Sequence, residues 1–375
     1  MSHTTSRPRG AIPDEQSAQS SPGIPASAVW TWFGLAVIGI ALATVVAWRG
    51  TPALLEAWLV IFFLLVGFGA ASLGLLMIGH LLGDIWLKPV RDELEPATWT
   101  LPLAAILSPP LLFGMSELYP WASGATAGDI PALRQLYLTP TLFVVRAVAY
   151  LSVWIGLAVV VTRAGAHRGT SAIGLGALAV TFSLASIDWI LSRDPAWWSS
   201  LASFSLAVNQ LLGGLAAAIL FSVVREGHPE DEMLGSLQRT LLSLALLALW
   251  VWFSQYLVVW MGNLPIEVSW ILRRSDPMGH TIAGIFLSTL VAAIVLLMPS
   301  AGKRWRVITA CALIMIHHVG YLIWHVRPVR VAELIPLDAA LILAAIGLFG
   351  LWFAFGLRRH GRAFPHRSGT AGSAR

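Results

Sequence analysis

Ionisable side chains inside long apolar stretches are the residues of this sequence best suited to chemistry. A charge in hydrocarbon is energetically costly, so such groups are expected to pair with one another or to carry protons. The candidates for a proton pathway, in chain order, are His80, Asp84, Glu117, Arg146, Asp188, His317, His318, Tyr321 and His325.

The earlier candidates form two groups. His80 and Asp84 are four residues apart and share a helix face, which predicts a proton entry on the cytoplasmic side or a carboxylate that orients a boundary histidine. Arg146 needs a buried carboxylate, which Glu117 or Asp188 could supply at similar depth. Such a pair either locks the helices together or belongs to a proton relay or the wall of a ligand pocket. Because Glu117 is available to Arg146, we expect Asp188 to act as a proton carrier.

The later candidates follow one helical stripe. His318, Tyr321 and His325 have i, i+3, i+7 spacing, and His317 shares a face with Tyr321 and His325. Titratable groups at this spacing can pass protons through intervening water, whereas the alternative is neutral histidines packed between helices. A haem with two histidine ligands is not expected, because His80 lies near a membrane surface and His317 lies well inside its segment.

A second kind of site is indicated where an apolar segment breaks at its end. Residues 254–277 begin as membrane helix and break at Asn263-Leu264-Pro265, since proline removes a donor and disfavours helix in the residue before it. Residues 181–199 are a sibling, because both stretches contain Trp-Ile-Leu, then arginine, then Asp-Pro. Polar groups at a membrane boundary indicate a surface that is used, and we call these ranges the two signature stretches. The candidates for ligand or interface contacts are Gln255, Asn263, Glu267 and Trp270.

Ten apolar segments must position these residues, each near the roughly 20 residues that cross a bilayer. They span 29–48, 56–83, 101–118, 140–163, 172–191, 201–224, 240–262, 280–298, 305–326 and 337–357, and Pro109-Pro110 interrupts the third. The chain is 57% hydrophobic and 11% charged, whereas soluble domains are roughly a quarter charged. The sequence therefore predicts an all-α polytopic membrane protein.

The distribution of basic residues predicts how the chain is oriented in the membrane, and its cysteine content limits the redox centres that it can hold. Loops on the side of both termini carry more than twice as many Lys and Arg residues as loops on the other side, so both termini are expected in the cytoplasm. Residues 1–28 are then a disordered cytoplasmic tail, 29–357 the transmembrane domain and 358–375 a basic cytoplasmic tail. One cysteine, Cys311, cannot hold an iron–sulfur cluster or a covalent haem. No metal-ligand spacing appears, and nothing in the sequence indicates nucleic-acid binding.

Residues of the signature stretches resemble the F subunit of alternative complex III, a bacterial quinol:cytochrome c oxidoreductase whose membrane subunits are similar to the NrfD/polysulfide-reductase family. The resemblance covers roughly residues 29–357, and it implies two four-helix bundles, from the second to the fifth and from the sixth to the ninth segment, with two peripheral helices. The matching positions are Phe182, Asp188-Trp189, Asp194-Pro195, Trp197, Ser199, Ser254-Gln255-Tyr256, Asn263-Leu264-Pro265 and Glu267.

The resemblance also implies a function. The chain is expected to be an integral subunit of a quinol-oxidising complex in the bacterial inner membrane, without a redox centre of its own, that serves assembly and proton conduction. Its partners would be other membrane subunits, lipid, and outer-side subunits that hold iron–sulfur clusters and multihaem cytochrome c, with quinol or menaquinol as the candidate ligand. Two alternatives stay open: a quinol-binding subunit in its own right, and a secondary transporter in which a buried arginine binds an anionic substrate.

Overall fold

The computed structural model describes residues 52–83, 86–124, 132–163, 168–226, 231–275, 279–298 and 304–326. Within these ranges the chain is helical and contains no β-strand. The predicted segments 29–48 and 337–357, Asp84 and both terminal tails lie outside them. Seven described helical stretches are long and apolar enough to cross a membrane, which confirms the predicted all-helical, multi-pass fold: Leu55–Leu82, Lys88–Phe113, Pro140–Thr162, Arg168–Arg193, Leu201–Val223, Leu234–Gly262 and Arg304–Val326.

The helices are numbered here in chain order. They are α1 (Pro52–Leu82), α2 (Arg91–Ala97), α3 (Thr100–Ile106), α4 (Pro109–Phe113), α5 (Met115–Leu118), α6 (Ala132–Tyr137), α7 (Pro140–Arg163), α8 (Arg168–Trp189), α9 (Ser200–Glu226), α10 (Asp231–Gly262), α11 (Pro265–Leu272), α12 (Gly279–Leu297) and α13 (Arg304–Val326). Short 3-10 turns occupy Lys88–Val90, Pro120–Ser123 and Leu191–Arg193.

The third predicted segment differs most from expectation. Instead of one interrupted helix over 101–118, the chain forms a 3-10 turn and the four short helices α2 to α5 from Lys88 onwards. Prolines explain the breaks, because Pro109 and Pro110 start a new helix and Pro96 lies in the last turns of α2. The helical turns before residue 100 were missed because their charged residues lower the hydropathy.

Helix α1 forms the centre of the packing. Of its most apolar window, 94% is buried, and it contacts α2, α3, α7, α8, α9 and α13. A helix that is apolar on every side is typical of a bundle core. Small residues bring α9 close: a Cβ on Gly67 would overlap the side chain of Gln210, and Gly214 lies against Ala71.

The remaining helices pack as two neighbourhoods. Helices α3, α7 and α8 surround α1, with contacts between α3 and α7 and between α7 and α8. Helices α9, α10, α12 and α13 form a closed ring of contacts, each with the next. The two neighbourhoods are joined where α9 contacts α1 and α8, and where α13 contacts α1.

Candidate functional site

Charged and aromatic side chains converge at one end of the helices. This end contains the start of α1, the α6–α7 junction, the end of α8, the start of α9, the end of α10, α11 and the end of α13, which the contacts below join. We call it the arginine-rich end, after Arg146, Arg193, Arg273 and Arg274. Both signature stretches lie there, although 55 residues of sequence separate Ser199 from Ser254.

Arg146 of α7 is paired with Asp188 of α8. Two nitrogen–oxygen hydrogen bonds join them, from Nε to Oδ2 at 2.8 Å and from Nη2 to Oδ1 at 3.0 Å. Tyr150 donates a further bond of 2.9 Å to Oδ2. The third guanidinium nitrogen donates to the Tyr137 carbonyl at 3.0 Å, and the guanidinium carbon lies 3.8 Å from the centre of the Tyr137 ring. Every face of this pair is therefore held by a defined partner.

This pairing corrects one sequence expectation. Glu117 is exposed in α5, so the premise that it competes for Arg146 is wrong. The carboxylate of Asp188 is fully buried and Arg146 retains 18% side-chain exposure. Burial and the neighbouring Asp188 carboxylate raise the pKa of the Tyr137 hydroxyl, which lies between the membrane spans and stays protonated. The local geometry is that of a structural ion pair.

A second ion pair, which the sequence analysis did not identify, lies beside the first. Arg193 of the 3-10 turn after α8 binds Glu56 near the start of α1, and each of the two side chains is at most 1% exposed to solvent. Nε and Nη1 of Arg193 have no hydrogen-bond partner among the described residues. The pair ties the first turns of the central helix to the signature stretch. The sequence signal that could have revealed this pair is the carboxylate of Glu56 near the start of an apolar helix. A charge at such a position is energetically costly unless it is paired.

Three contacts join the two signature stretches to each other. Arg273 donates to Asp194 at 2.5 Å, and Ser199 donates to the side-chain oxygen of Gln255 at 2.6 Å. The rings of Trp197 and Trp270 stack with centroids 4.1 Å apart and planes within 12° of parallel. The ranges that resemble one another in sequence therefore form one surface.

Arg274 is buried on the inner side of this surface. Its guanidinium donates to the carbonyls of Trp270 at 3.1 Å and His325 at 3.3 Å, and its carbon lies 3.8 Å from the centre of the Trp270 ring. Burial lowers the pKa of Arg274 to about 9, although Asp194 acts in the opposite direction. Cation–π contact and backbone carbonyls replace a carboxylate partner here.

The quinone or interface candidates divide between two environments. Gln255 and Trp270 take part in the contacts between the signature stretches. Asn263 is exposed and has a φ of 44°. This left-handed conformation interrupts the helical backbone between α10 and α11. Glu267 lies in the first turn of α11, half-buried. Gln255 and Trp270 are therefore part of the packed surface, whereas Asn263 and Glu267 lie on its outside.

The histidines of α13 form a closed hydrogen-bond network with Asn209 of α9. Nδ1 of His317 lies 3.2 Å from the Ile285 carbonyl, so this nitrogen carries the proton and Nε2 accepts from the Asn209 amide at 2.9 Å. The Asn209 oxygen then accepts from Nδ1 of His318 at 2.6 Å. These partners assign His317 as the neutral Nδ1–H tautomer and place a proton on Nδ1 of His318. Asn209 was not among the candidate residues of the sequence analysis.

The second half of the predicted stripe, Tyr321 and His325, continues this packing. Tyr321 shares a 2.6 Å hydrogen bond with Ser205, and Nδ1 of His325 donates to the Tyr321 carbonyl at 2.9 Å. The Tyr321 ring lies between His317 and His325, with centroids 5.6 Å and 4.3 Å away. The predicted stripe is therefore one buried column of aromatic and imidazole rings.

His80 lies at the opposite end, away from every group above. Its Nδ1 is 3.0 Å from the hydroxyl of Ser171 at the start of α8, and its predicted partner Asp84 lies outside the described residues. No cluster of three or more His, Cys, Asp or Glu side chains within the described ranges could hold a metal ion. The structure thus divides the described proton-pathway candidates among four separate environments: His80, the exposed Glu117, the Arg146–Asp188 pair and the α13 column.

No family model matches this chain, and no curated protein is significantly similar to it in sequence.

Proposed function

We propose that this chain is an integral membrane subunit of a quinol:cytochrome c oxidoreductase complex similar to alternative complex III, in the bacterial inner membrane. The observation that carries the proposal is the meeting of the two signature stretches at the arginine-rich end. The residues on which the resemblance rests are distant in sequence but meet in contacts such as Arg273–Asp194 and Trp197–Trp270. A shared surface of this kind is what a docking site for an outer-side partner requires.

The finer architecture belongs to the same proposal. The two packing neighbourhoods would be two four-helix bundles, one around α1 and the other formed by α9, α10, α12 and α13. The predicted first and tenth segments would lie at their periphery, which brings the total to ten membrane helices with both termini in the cytoplasm. The arginine-rich end then faces outwards, towards subunits that hold iron–sulfur clusters and cytochrome c.

Assembly is the role that the geometry supports best. Arg146, Arg193 and Arg273 of the arginine-rich end are each held in an ion pair. The exposed side of the surface carries apolar residues next to the candidates Asn263 and Glu267. Leu264, Ile266 and Leu272 of this region are each more than half exposed. Apolar side chains flanked by charges at a membrane boundary are typical of a protein contact.

Proton conduction is the second part of the proposed role. The buried column of α13 and the His80–Ser171 contact would serve as the two halves of a route, with water between them. Nε2 of His317 accepts from the Asn209 amide, so a proton can reach this nitrogen only if the amide moves away. The bond between Asn209 and His318 uses Nδ1 and leaves Nε2 of His318 uninvolved. His317 is therefore the restrained step of the proposed route.

A transporter role has less support. A secondary transporter that binds an anion through Arg146 needs an uncompensated cation, whereas the Asp188 carboxylate already accepts two hydrogen bonds from this guanidinium. A third of its five N–H groups donates to the Tyr137 carbonyl. An anionic substrate would have to displace the Asp188 carboxylate.

Co-purification from the native host tests the proposal. The tagged chain, extracted in mild detergent, is expected to carry haem-containing and iron–sulfur partners. Arg273→Gln removes an ion pair whose arginine is half exposed, worth about 0–1 kcal/mol, so the chain should fold but lose its outer partners. The matched control is Arg239→Gln, which changes an exposed arginine near the start of α10, away from the arginine-rich end. A wild-type chain that purifies in full yield without any haem-bearing partner would contradict the proposal.

A further inference from the structure

A cavity lies at the arginine-rich end, between the α6–α7 junction, the end of α8 and the start of α9. Its volume is about 310 Å³, at the lower end of the range in which proteins bind small molecules. Arg134 of α6 and Trp198 line it near the helix ends, and Ser183 of α8 lines it further in. Ser183 precedes Trp189, the last residue of α8, by about 9 Å along the helix. The cavity therefore extends from the headgroup level towards the hydrocarbon region.

Arg134 is the one basic side chain among the described residues that line this cavity. Its guanidinium donates to the carbonyls of Pro195 and Trp197 and lies 3.8 Å from the centre of the Trp198 ring. These bonds use two of the five N–H groups of a guanidinium, and the Nε–H group is among those that remain. Arg134 is partly exposed and its Nε is not enclosed, unlike Nε of Arg274. Donors are therefore left for a ligand that enters the cavity.

Within the described residues, no ion pair includes Arg134. The ion pairs of this end use other arginines and are Asp188–Arg146, Glu56–Arg193 and Asp194–Arg273. Burial lowers the pKa of the Arg134 guanidinium, and no neighbouring acid among the described residues opposes this effect. An arginine nevertheless stays cationic in a protein. An anionic ligand would therefore meet a cation whose charge no described carboxylate neutralises.

An exposed apolar face of α8 continues the cavity along the membrane. Ser183 and Ile187 line the cavity. Ile173, Gly176 and Val180 precede them at alternating spacings of three and four residues, which places all five on one helix face. Ile173 is 79% exposed and Val180 is 62% exposed, and Gly176 has open space beside it. This face offers an uncovered apolar surface of the kind that a hydrocarbon chain covers.

The composition of the wall favours a lipid over a soluble anion. Leu138, Ile187, Leu191 and Phe204 line the cavity together with the rings near Arg134. A small ion would give up its water for a largely apolar wall with one guanidinium, which is costly. A phospholipid brings a phosphate and an apolar chain in one molecule, and basic pockets between membrane helices bind such headgroups. Trp198 is 59% exposed beside Arg134, as is typical of a tryptophan at a membrane interface.

We propose that this cavity binds an anionic phospholipid whose phosphate accepts hydrogen bonds from Arg134. One acyl chain would lie against the apolar part of the cavity and continue along the face of α8 that carries Val180 and Ile173. The described wall contains no carboxylate for the ammonium group of a zwitterionic headgroup, so a net negative headgroup fits best. The site requires that the chain lie in a membrane, but it does not depend on the proposed complex.

Native mass spectrometry of the delipidated full-length chain in a neutral detergent tests the inference. The chain is titrated with dioleoylphosphatidylglycerol and, separately, with dioleoylphosphatidylcholine. One saturable phosphatidylglycerol adduct per chain is expected, with a dissociation constant at least about fivefold below that of phosphatidylcholine. Arg134→Gln should raise the constant for phosphatidylglycerol about tenfold or more, the effect of a lost charge-assisted hydrogen bond. The matched control Arg239→Gln removes a charge far from the cavity and should change it less than about twofold.

Ser183→Leu is a second variant that leaves Arg134 in place. The hydroxyl of Ser183 donates to the Ala179 carbonyl within α8, and leucine would narrow the apolar part of the cavity. The dissociation constant for phosphatidylglycerol should rise at least about fivefold, because the chain is crowded out. Thermal unfolding checks that each variant is folded. If Arg134→Gln does not fold, the comparison of the two lipids and Ser183→Leu carry the test.

Four results would overturn the inference. They are no saturable phosphatidylglycerol adduct, equal affinity for the two lipids, an unchanged affinity in folded Arg134→Gln or Ser183→Leu, and equal losses in Arg134→Gln and Arg239→Gln. Displacement of the lipid by millimolar inorganic phosphate would also overturn it, because the occupant would then be a soluble anion. Binding is measured without partner subunits, so its failure leaves the co-purification result untouched.

Discussion

Asp188→Asn is the substitution that best separates a structural role from a proton-carrying one. The carboxylate is fully buried and accepts two bonds from Arg146 and one from Tyr150. The amide keeps the shape but removes the charge and turns one acceptor into a donor that faces the guanidinium. Breaking a buried pair costs about 3–5 kcal/mol. Since Arg146 keeps 18% exposure and its bond to the Tyr137 carbonyl, we expect about 3 kcal/mol, the lower end of that range.

A double-mutant cycle isolates the pair from its surroundings. Arg146→Gln alone should be as destabilising as Asp188→Asn, whereas the double variant should recover much of the loss, because neutral partners leave no buried charge. Tyr150→Phe is a matched control that removes one bond to the same carboxylate and should cost about 1.5–3 kcal/mol. The assays are the yield of monodisperse protein and its thermal unfolding, followed by quinol:cytochrome c activity of the assembled complex.

The opposite pattern would refute the reasoning. If Asp188→Asn leaves stability and assembly intact but abolishes turnover or proton release, the carboxylate is a proton carrier and the ion-pair argument fails. If stability, activity and proton release are all unchanged, Asp188 has neither role.

Three further predictions concern packing, cofactor content and topology. Gly213→Ala should destabilise the chain by about 1–3 kcal/mol, because its Cβ would overlap the His318 ring. The control Gly156→Ala has open space around it and should be neutral or slightly stabilising. Chemical unfolding of both variants in detergent measures the difference. The isolated chain should show no Soret band, since Cys311 is its one thiol and no depth-matched histidine pair is predicted; a stoichiometric haem spectrum would overturn this. Reporter fusions should place the C-terminal tail in the cytoplasm and the 263–279 loop outside, and a periplasmic signal from the tail would reverse the assigned sides.

The helices could be predicted from sequence because hydropathy acts locally. Segments such as 140–163 agree with the helix that forms, since a bilayer-length apolar run has few alternatives. The prediction failed where charge and proline interrupt the signal. The predicted segment starts at residue 240, whereas α10 begins at Asp231. Its first turns include Asp231, Glu232 and Arg239, whose charges lower the hydropathy there.

The site was predictable only in part, because pairing depends on which helices become neighbours. Depth alone allowed Arg146 either of two carboxylates, and the choice follows from the direct contact of α7 with α8. The Glu56–Arg193 pair joins residues 137 positions apart, and no local pattern encodes that distance. The likeness of the signature stretches was visible in sequence, whereas their contact was not.

The positions of the polar groups also bear on how one chain could combine assembly with proton movement. At the arginine-rich end, Asp188 and Glu56 are each bound to an arginine, so moving a proton through either carboxylate would first require an ion pair to be broken. No ion pair among the described residues includes the rings of the α13 column, although Arg274 donates to the His325 carbonyl at one end of it. The Asn209 amide bonds His317 and His318 there, with net hydrogen-bond energies of about 0.5–1.5 kcal/mol each. Rearranging that amide costs less than separating a buried pair. A proton route in this chain is therefore expected to follow α13, with the ion pairs serving to keep the helices around it in place.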